Sequence, residues 1–459
     1  MKNSSRSLVS VAALALAAGG AVVLTEQPPD DARSPQRSQV DLIIGDRIGS
    51  QPRFAVPDCL ASDGEPELIT AGRILAQVLW DDLDFEREFR MLPRDTYSTV
   101  PAARSLTDLP FQAWQELGAD GVVSCALTSL ADGRISVRAR LFNTRSLESA
   151  FGVEYSGTLR NVRVYAHELS DEIHRQQRGL EGVARSRITF VSDRDSESVL
   201  GLVENRQTKE VYIADYDGAN AQRVTVSRSL NVTPTWSVNG RAVAYTSWRN
   251  GPPDVFISHI YEGRLESPLG GTVDIHNWLP SYSPDGRWLA FTSNRDGNPE
   301  VYVSRTDGTD LRRLTNHPGI DTSPTWSPLG LQIAFTSNRT GSPQIYVVGV
   351  DGTGLRRITF ESYCDRPTWS PAPYNEIAYA SRTGPGYDIK VVDLATNEVR
   401  QLTFGLGSNE SPSYAANGRH LVFSSDRTGD RQLFLIGRDG RGLRRITNDG
   451  NNEMPGWSR

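Results

Sequence analysis

In the second half of the chain, short runs alternating apolar and small residues, each closed by Ser, recur at near-regular spacing: Val243-Ala-Tyr-Thr-Ser, Leu289-Ala-Phe-Thr-Ser, Ile333-Ala-Phe-Thr-Ser, Ile377-Ala-Tyr-Ala-Ser and Leu421-Val-Phe-Ser-Ser. β-Branched and aromatic residues in so short a run predict a strand. A second apolar run follows each, such as Val301-Tyr-Val or Ile345-Tyr-Val, and then a basic one, such as Leu311-Arg-Arg-Leu-Thr or Leu355-Arg-Arg-Ile-Thr. A Pro-x-aromatic segment opens each copy, and Pro there reads as the first residue of a strand. The copies begin at Pro234, Pro280, Pro324, Pro367, Pro412 and Pro455, at intervals of 46, 44, 43, 45 and 43 residues. Asn239, Asp285, Asp307, Asp351, Asn417 and Asp439 each precede a Gly, the pair that tight hairpins need. Four hairpin-linked strands every 44 residues or so make a propeller blade.

The ends of the repeat region fix the number of blades. The last copy stops after its first strand, Pro455-Gly-Trp-Ser-Arg459, while the first lacks that strand and starts at Arg187-Ile-Thr-Phe-Val-Ser192. The two fragments complete one blade, which predicts a six-bladed β-propeller over residues 186–459, closed by residues 455–459 and left without an open sheet edge. The outer strand near Arg264–Leu269 matches the repeat least well.

Residues 40–180 carry a different period. Val40-Asp-Leu-Ile-Ile, Phe54-Ala-Val-Pro and Phe89-Arg-Met-Leu predict strands, and Gly121–Leu130 with Ile135–Phe142 a hairpin. Leu68, Ala71, Leu75, Val78, Leu79 and Leu83 recur at three and four, which predicts an amphipathic helix from Pro66. Pro110–Gly118 and Val162–Gln177, the latter stopped by Gly179, predict two more. The whole is a small α/β sandwich ahead of an all-β domain.

Residues 1–24 read as an export signal, with Lys2 and Arg6 before an apolar run from Leu8 to Leu24; an uncleaved anchor is the alternative. No Cys follows that run, which excludes a lipoprotein. Residues 25–39 read as a polar, Pro-containing flexible linker. Cys59 and Cys125 fall in one domain and pair if their strands are neighbours, leaving Cys364 as a buried or free thiol.

A net charge of −6, from 49 basic and 55 acidic residues, speaks against nucleic acid. The Arg pairs fall on outer edge strands, where charge guards against edge pairing. The six histidines, His167, His174, His259, His276, His317 and His420, show no metal-binding spacing, and no Gly-x-Ser-x-Gly elbow is present. His167 and His174, seven apart on one helix, read as surface or satisfied core residues rather than metal ligands. The Arg of each Ser-x-Arg (Arg194, Arg249, Arg295, Arg339, Arg427) reads as a structural bond to neighbouring-blade carbonyls. Strand direction places Asn231-Val-Thr, His276-Asn-Trp-Leu, Asp321-Thr-Ser, Cys364-Asp-Arg, Asn409-Glu-Ser and Asn452-Glu-Met around one mouth of the channel. That acidic and polar rim could hold a cation such as calcium; no other cofactor is expected, and no catalytic residue. An enzymatic alternative, the gating or substrate-recognition propeller of an exported peptidase, would need a further hydrolase domain for which no residues remain.

Trp114-Gln-Glu-Leu-Gly-Ala-Asp-Gly-Val-Val123, Tyr165-Ala-His-Glu-Leu-Ser-Asp-Glu-Ile173 with Gly179, and Arg187-Ile-Thr-Phe-Val are similar to the amino-terminal domain and domain junction of the TolB family. The Ser-Pro-Asp-Gly and Thr-Ser-Asn-Arg repeats resemble that family's propeller. The resemblance covers residues 40–459 and implies a non-enzymatic, monomeric periplasmic adaptor of the Tol–Pal system, peripheral to the membrane through protein partners. These would be the peptidoglycan-associated lipoprotein Pal, the inner-membrane-anchored TolA and other outer-membrane proteins, in support of outer-membrane integrity, cell division and protein transport. Carried over by register, the Pal contact falls on His276, Leu279 and Thr322, with Trp278 between them as an aromatic anchor; Leu279 departs from the small residue usual there. TolA binding would fall on Val40, Asp41, Leu42, Ile43 and Ile44. In the family that segment stands at the mature N-terminus, whereas here some 15 polar residues precede it.

Overall fold

The computed structural model describes Ile44 and residues 51–61, 64–197 and 208–458. The expected export signal, the linker, and Val40, Asp41, Leu42 and Ile43 of the expected first strand lie outside the described residues. Ile44 itself is buried in the core of the first domain, its N–H donated to Gln177 Oε1 at 2.9 Å.

In that domain the chain runs β1 (Arg53–Ala55), β2 (Leu60–Ala61), α1 (Pro66–Glu86), β3 (Arg90–Met91), α2 (Phe111–Glu116), β4 (Gly121–Ser129), β5 (Ile135–Asn143), β6 (Ser149–Gly157) and α3 (Val162–Arg178). The sheet order is β3-β1-β4-β5-β6, parallel on the β1 side and antiparallel from β4 onward, with β2 alongside β4. The predicted face of α1, Leu68 to Leu83, is buried against α3 and the sheet. Gly179 stops α3 at φ 65°, a conformation that suits a residue without Cβ. Because Leu60 pairs with Ala126, Cys59 and Cys125 are neighbours across strands, and they form a disulfide with Cα atoms 4.6 Å apart.

Six four-stranded sheets follow. Blade I joins Asn452–Trp457, at the end of the chain, to Arg187–Ser192, Glu210–Asp215 and Gln222–Arg223. Blades II to VI occupy residues 231–266, 277–313, 321–357, 364–401 and 409–445. The Gly after each of Asn239, Asp285, Asp307, Asp351, Asn417 and Asp439 has positive φ, between 65° at Gly240 and 85° at Gly308.

In the five blades other than blade II the repeated motifs form a clasp. The Thr ending the basic run accepts a backbone N–H from the third strand, as in Thr315 Oγ1 from Val301 at 2.9 Å. It donates to the buried group that opens that strand, Glu300 at 2.5 Å in blade III and Gln344 at 2.9 Å in blade IV. The Arg of Ser-x-Arg bonds the first residue of the innermost strand of its own blade: Arg295 to Asn277, Arg339 to Asp321, Arg427 to Asn409 and Arg194 to Asn452. These partners are side chains in the same blade, which corrects the expected bond to neighbouring-blade carbonyls. A guanidinium there also lies over two rings of its blade, Arg339 at 5.4 Å from Phe335 and 4.9 Å from Tyr346.

The Pro of Pro-x-aromatic is not the first residue of its strand. It is the fourth of six in an innermost strand, at a bulge, and the residue before it has positive φ in every blade: Thr233, Leu279, Ser323, Arg366, Ser411 and Met454, all between 52° and 59°. A bulge leaves one residue out of the ladder, so a residue with no N–H fits there.

The α/β domain rests on the face of the propeller formed by the loops after the first and third strands of blades I and VI. Buried Glu86 accepts from Val183 N at 2.9 Å and pairs with Arg419; Arg87 pairs with Asp439 at 2.8 Å; Phe85 packs on His420, 4.6 Å between ring centroids. His167 and His174 are both buried at this seam, so the surface reading of them is set aside. Burial pushes Glu86 up to about 7 in spite of Arg419, and burial with the nearby Glu86 charge pushes Asp171 up to about 7. Both values are raised on folding, so the stability they contribute is complete below about 4.5 and lost as pH rises through about 7. His420, pushed down to about 3 by burial and by Arg419, works in the opposite sense, losing its contribution as pH falls from about 6.5. Glu86→Gln isolates the first effect: its melting temperature relative to the parent should climb between pH 4.5 and 7 and then level off. A difference independent of pH would contradict this.

Candidate functional site

Strand direction decides what faces which way. The loops between second and third strands and the linkers from each outermost strand to the next innermost strand share one mouth, opposite the α/β domain. That mouth is left uncovered by the described residues.

The linkers are stitched down by the residue between Ser and Arg in the repeat. His276 N–H is donated to Asn294 Oδ1 at 2.7 Å, Ile320 N–H to Asn338 Oδ1 at 2.7 Å and Ser408 N–H to Asp426 Oδ1 at 2.6 Å. The rim is therefore a preorganised surface built on rigid strands.

The four residues expected to meet a partner separate into two groups. His276 is half-buried in the linker before blade III, its Nε2 3.1 Å from Val273 O and its ring 6.4 Å from that of Trp278. Trp278, half-buried, belongs to the innermost strand of blade III, opposite Thr292. Leu279 does not stand on the rim as expected. Its positive φ turns it into the central channel, which it lines with Thr233, Ser323, Arg366, Ser411 and Met454, and its N–H is donated to Thr246 Oγ1 of blade II at 3.0 Å. Thr322 is likewise a strand residue, its hydroxyl 3.3 Å from Thr292 Oγ1 of the preceding blade. Leu279 and Thr322 thus hold adjacent blades together.

The rim differs from the acidic ring expected of it. Asn231, Asn277, Asp321, Cys364, Asn409 and Asn452 are buried starting residues of innermost strands. The carboxylates in that ring are committed: Asp321 to Arg339, Asp365 to Thr336, Glu410 to Arg431 and Glu453 to Lys209. Among the described residues lining the channel, none is a carboxylate. The donor set does not favour calcium there. Cys364 is buried, and burial pushes its thiol up to about 11, away from reactivity.

What the rim does present is apolar. Val226, Val273, Ile320, Phe360, Phe404 and Leu406 all lie in the linkers of this mouth and are exposed, Val273 by 81%, Phe360 by 76% and Phe404 by 73%. A ring of apolar side chains on a rigid, uncovered face is what protein interfaces use as anchors. These residues went unread in the sequence because they do not repeat. The signal was an apolar residue directly after the clasp Thr, in Thr225-Val226, Thr359-Phe360 and Thr403-Phe404, where other copies have Asn.

Comparison with known proteins agrees with this architecture. Residues 40–149 match the family model described as the TolB amino-terminal domain, and residues 175–459 the one described as the TolB beta propeller domain. The chain is 35% identical to the Tol-Pal system protein TolB of Bordetella parapertussis over 291 residues, 63% of this chain and 61% of that one. It is 34% identical to that of Desulfosudis oleivorans over 213 residues, 46% of each. The chain thus spans about half to three fifths of the length of these curated relatives. The crystal structure of TolB from Acinetobacter baumannii superposes with a TM-score of 0.75 at 26% identity, covering 89% of this chain and 97% of that one.

Proposed function

The chain belongs to the TolB family, and from that membership we propose that it is a non-enzymatic periplasmic adaptor of the Tol–Pal system whose propeller mouth binds the peptidoglycan-associated lipoprotein Pal. The observation that carries this reading is the apolar rim on the mouth facing away from the α/β domain. Val273, Ile320, Phe360, Phe404 and Leu406 supply hydrophobic anchors, and His276 with Trp278 supplies a polar and aromatic patch beside them. Firm strands and short pinned linkers limit the ordering entropy lost on docking, which favours affinity. Thr322 and Leu279 support this surface from beneath. TolA contact through Val40–Ile44 is the second arm of the adaptor in this reading, and association with outer-membrane proteins and a role in division follow from membership of the system.

Capture from a detergent extract of the native envelope tests the reading. The full chain as bait should enrich the peptidoglycan-associated lipoprotein, and a bait with Phe360→Glu and Phe404→Glu should not. Equal recovery by both baits, or no lipoprotein with either, would overturn it.

A further inference from the structure

His167, on α3, is buried at the seam between the two domains, 4% exposed. Its Nδ1 lies 2.8 Å from Asp82 Oδ2, and the other oxygen of Asp82 accepts the Tyr216 hydroxyl at 2.7 Å. With Asp82 accepting as a carboxylate, a neutral His167 ring carries its proton on Nδ1 and has the lone pair of Nε2 on the side away from Asp82. Nε2 is buried with no hydrogen-bond partner among the described residues. Across the seam the third strand of blade I ends in Asp215, and the turn after it carries Asp217. Both are half-buried, and His167, Asp215 and Asp217 each offer a ligand atom within 4.8 Å of the others.

We propose that His167, Asp215 and Asp217 form a binding site for a first-row divalent cation, zinc foremost, that clamps the α/β domain to the propeller. The donors are one imidazole and two carboxylates, leaving a tetrahedral ion one open position for water. Asp82 is the positioning residue, holding the imidazole in the tautomer that ligates, as carboxylates behind metal-binding histidines do. The charge around the site favours a cation: Asp82, Asp215 and Asp217 face it, and among the described residues Arg163, bonded to Asp217 Oδ2, is the one guanidinium in hydrogen-bond contact with them. Asn220 Nδ2 bonds Asp215 Oδ2 at 2.7 Å, which leaves Oδ1 for a ligand, while Asp217 Oδ1 accepts the Ala219 N–H at 3.1 Å and offers its second lone pair. The ligand atoms, within 4.8 Å of one another, would draw together to about 3.3 Å in a zinc polyhedron with bond lengths of roughly 2.0 Å. Calcium, which prefers an all-oxygen shell, is a poorer match to the ring nitrogen. Protons compete with the metal for its ligands, so metal affinity should fall as pH falls.

The test titrates zinc chloride into the chelator-stripped full chain. One saturable zinc site is expected at pH 7.5, at least tenfold weaker at pH 5.5, together with a higher melting temperature when zinc is bound. D215N with D217N should weaken binding at least tenfold, and D82N by about 10- to 100-fold. His276→Asn with His317→Asn should change nothing. In the parent chain, nitrogen-15 NMR should show zinc moving the Nε2 of a single histidine, identified as His167 by its loss in His167→Gln, while calcium chloride leaves it unmoved. That measurement does not depend on the aspartate variants folding. Absence of saturable binding, a shift at another histidine, undiminished binding by folded D215N/D217N, or displacement of zinc by calcium would each overturn the site.

Discussion

Deleting Pro455–Arg459 is expected to lower the melting temperature of the propeller by about 10 °C or more. The segment is short, but its contacts close the ring. Trp457, 6% exposed, packs in the core shared by blades I and VI, and its indole N–H is donated to Ser186 Oγ at 2.6 Å. Gly456 and Trp457 pair with Thr189 and Ile188, Ser458 N–H is donated to Arg187 O at 2.8 Å, and Arg187 N–H returns to Ser458 Oγ at the same distance. Emptying a buried Trp site costs roughly 3–5 kcal/mol, a large share of the 5–15 kcal/mol that holds a typical domain together. The deletion also strips the inner edge of the sheet at Arg187–Ser192, inviting association between molecules. Thermal melting with light scattering checks both effects. Trp457→Ala should reproduce most of the loss in melting temperature with less aggregation. A truncated chain that melts with the parent would mean that closure does not hold the propeller.

The propeller was legible in the sequence because every blade solves the same problem with the same residues. Asp-Gly turns, alternating runs and the Thr of the basic strand each have one structural use, repeated. What misled was Pro: a strand-opening role is the common one, and only the left-handed residue before it, seen in all six copies, reveals a bulge. In the α/β domain the third antiparallel strand, Ser149–Gly157, was missed although Phe151, Val153 and Tyr155 on its core side alternate with Gly152, Glu154 and Ser156 on the other. The contacts at the domain seam, Asp82 with His167 and Tyr216 or Glu86 with Arg419, have no periodicity to betray them. They join residues 85 to 333 positions apart. The candidate site was legible in place but not in character. Strand direction grouped the linkers that share one mouth, yet the residues carried over by register include two whose side chains or backbone are spent on blade-to-blade contacts. The exposed apolar residues, which vary from blade to blade, were hidden by the repeat around them.

Charge placed on the mouth is expected to abolish partner binding while sparing the fold. His276→Glu with Phe360→Glu puts two carboxylates on linkers entering blades III and V. Phe360 is exposed, and its main contact is the guanidinium of Arg357 at 4.7 Å, which Glu can also meet. His276 gives up its approach to Val273 O and its ring contact with Trp278, while the bond that pins this linker comes from its backbone N–H. The melting temperature should therefore stay within a few degrees of the parent. An interface anchor replaced by a charge that must be desolvated loses on the order of 2–4 kcal/mol or more, and two such losses amount to at least about a hundredfold in affinity.

Calorimetric titration of the full chain with the soluble domain of the peptidoglycan-associated lipoprotein from the same organism bears most directly on the role of the mouth. A one-to-one complex with the parent, and at least a hundredfold weaker binding by the folded His276→Glu/Phe360→Glu chain, is the expected result. Equal affinity of the two chains, or no heat of binding with the parent, would contradict it.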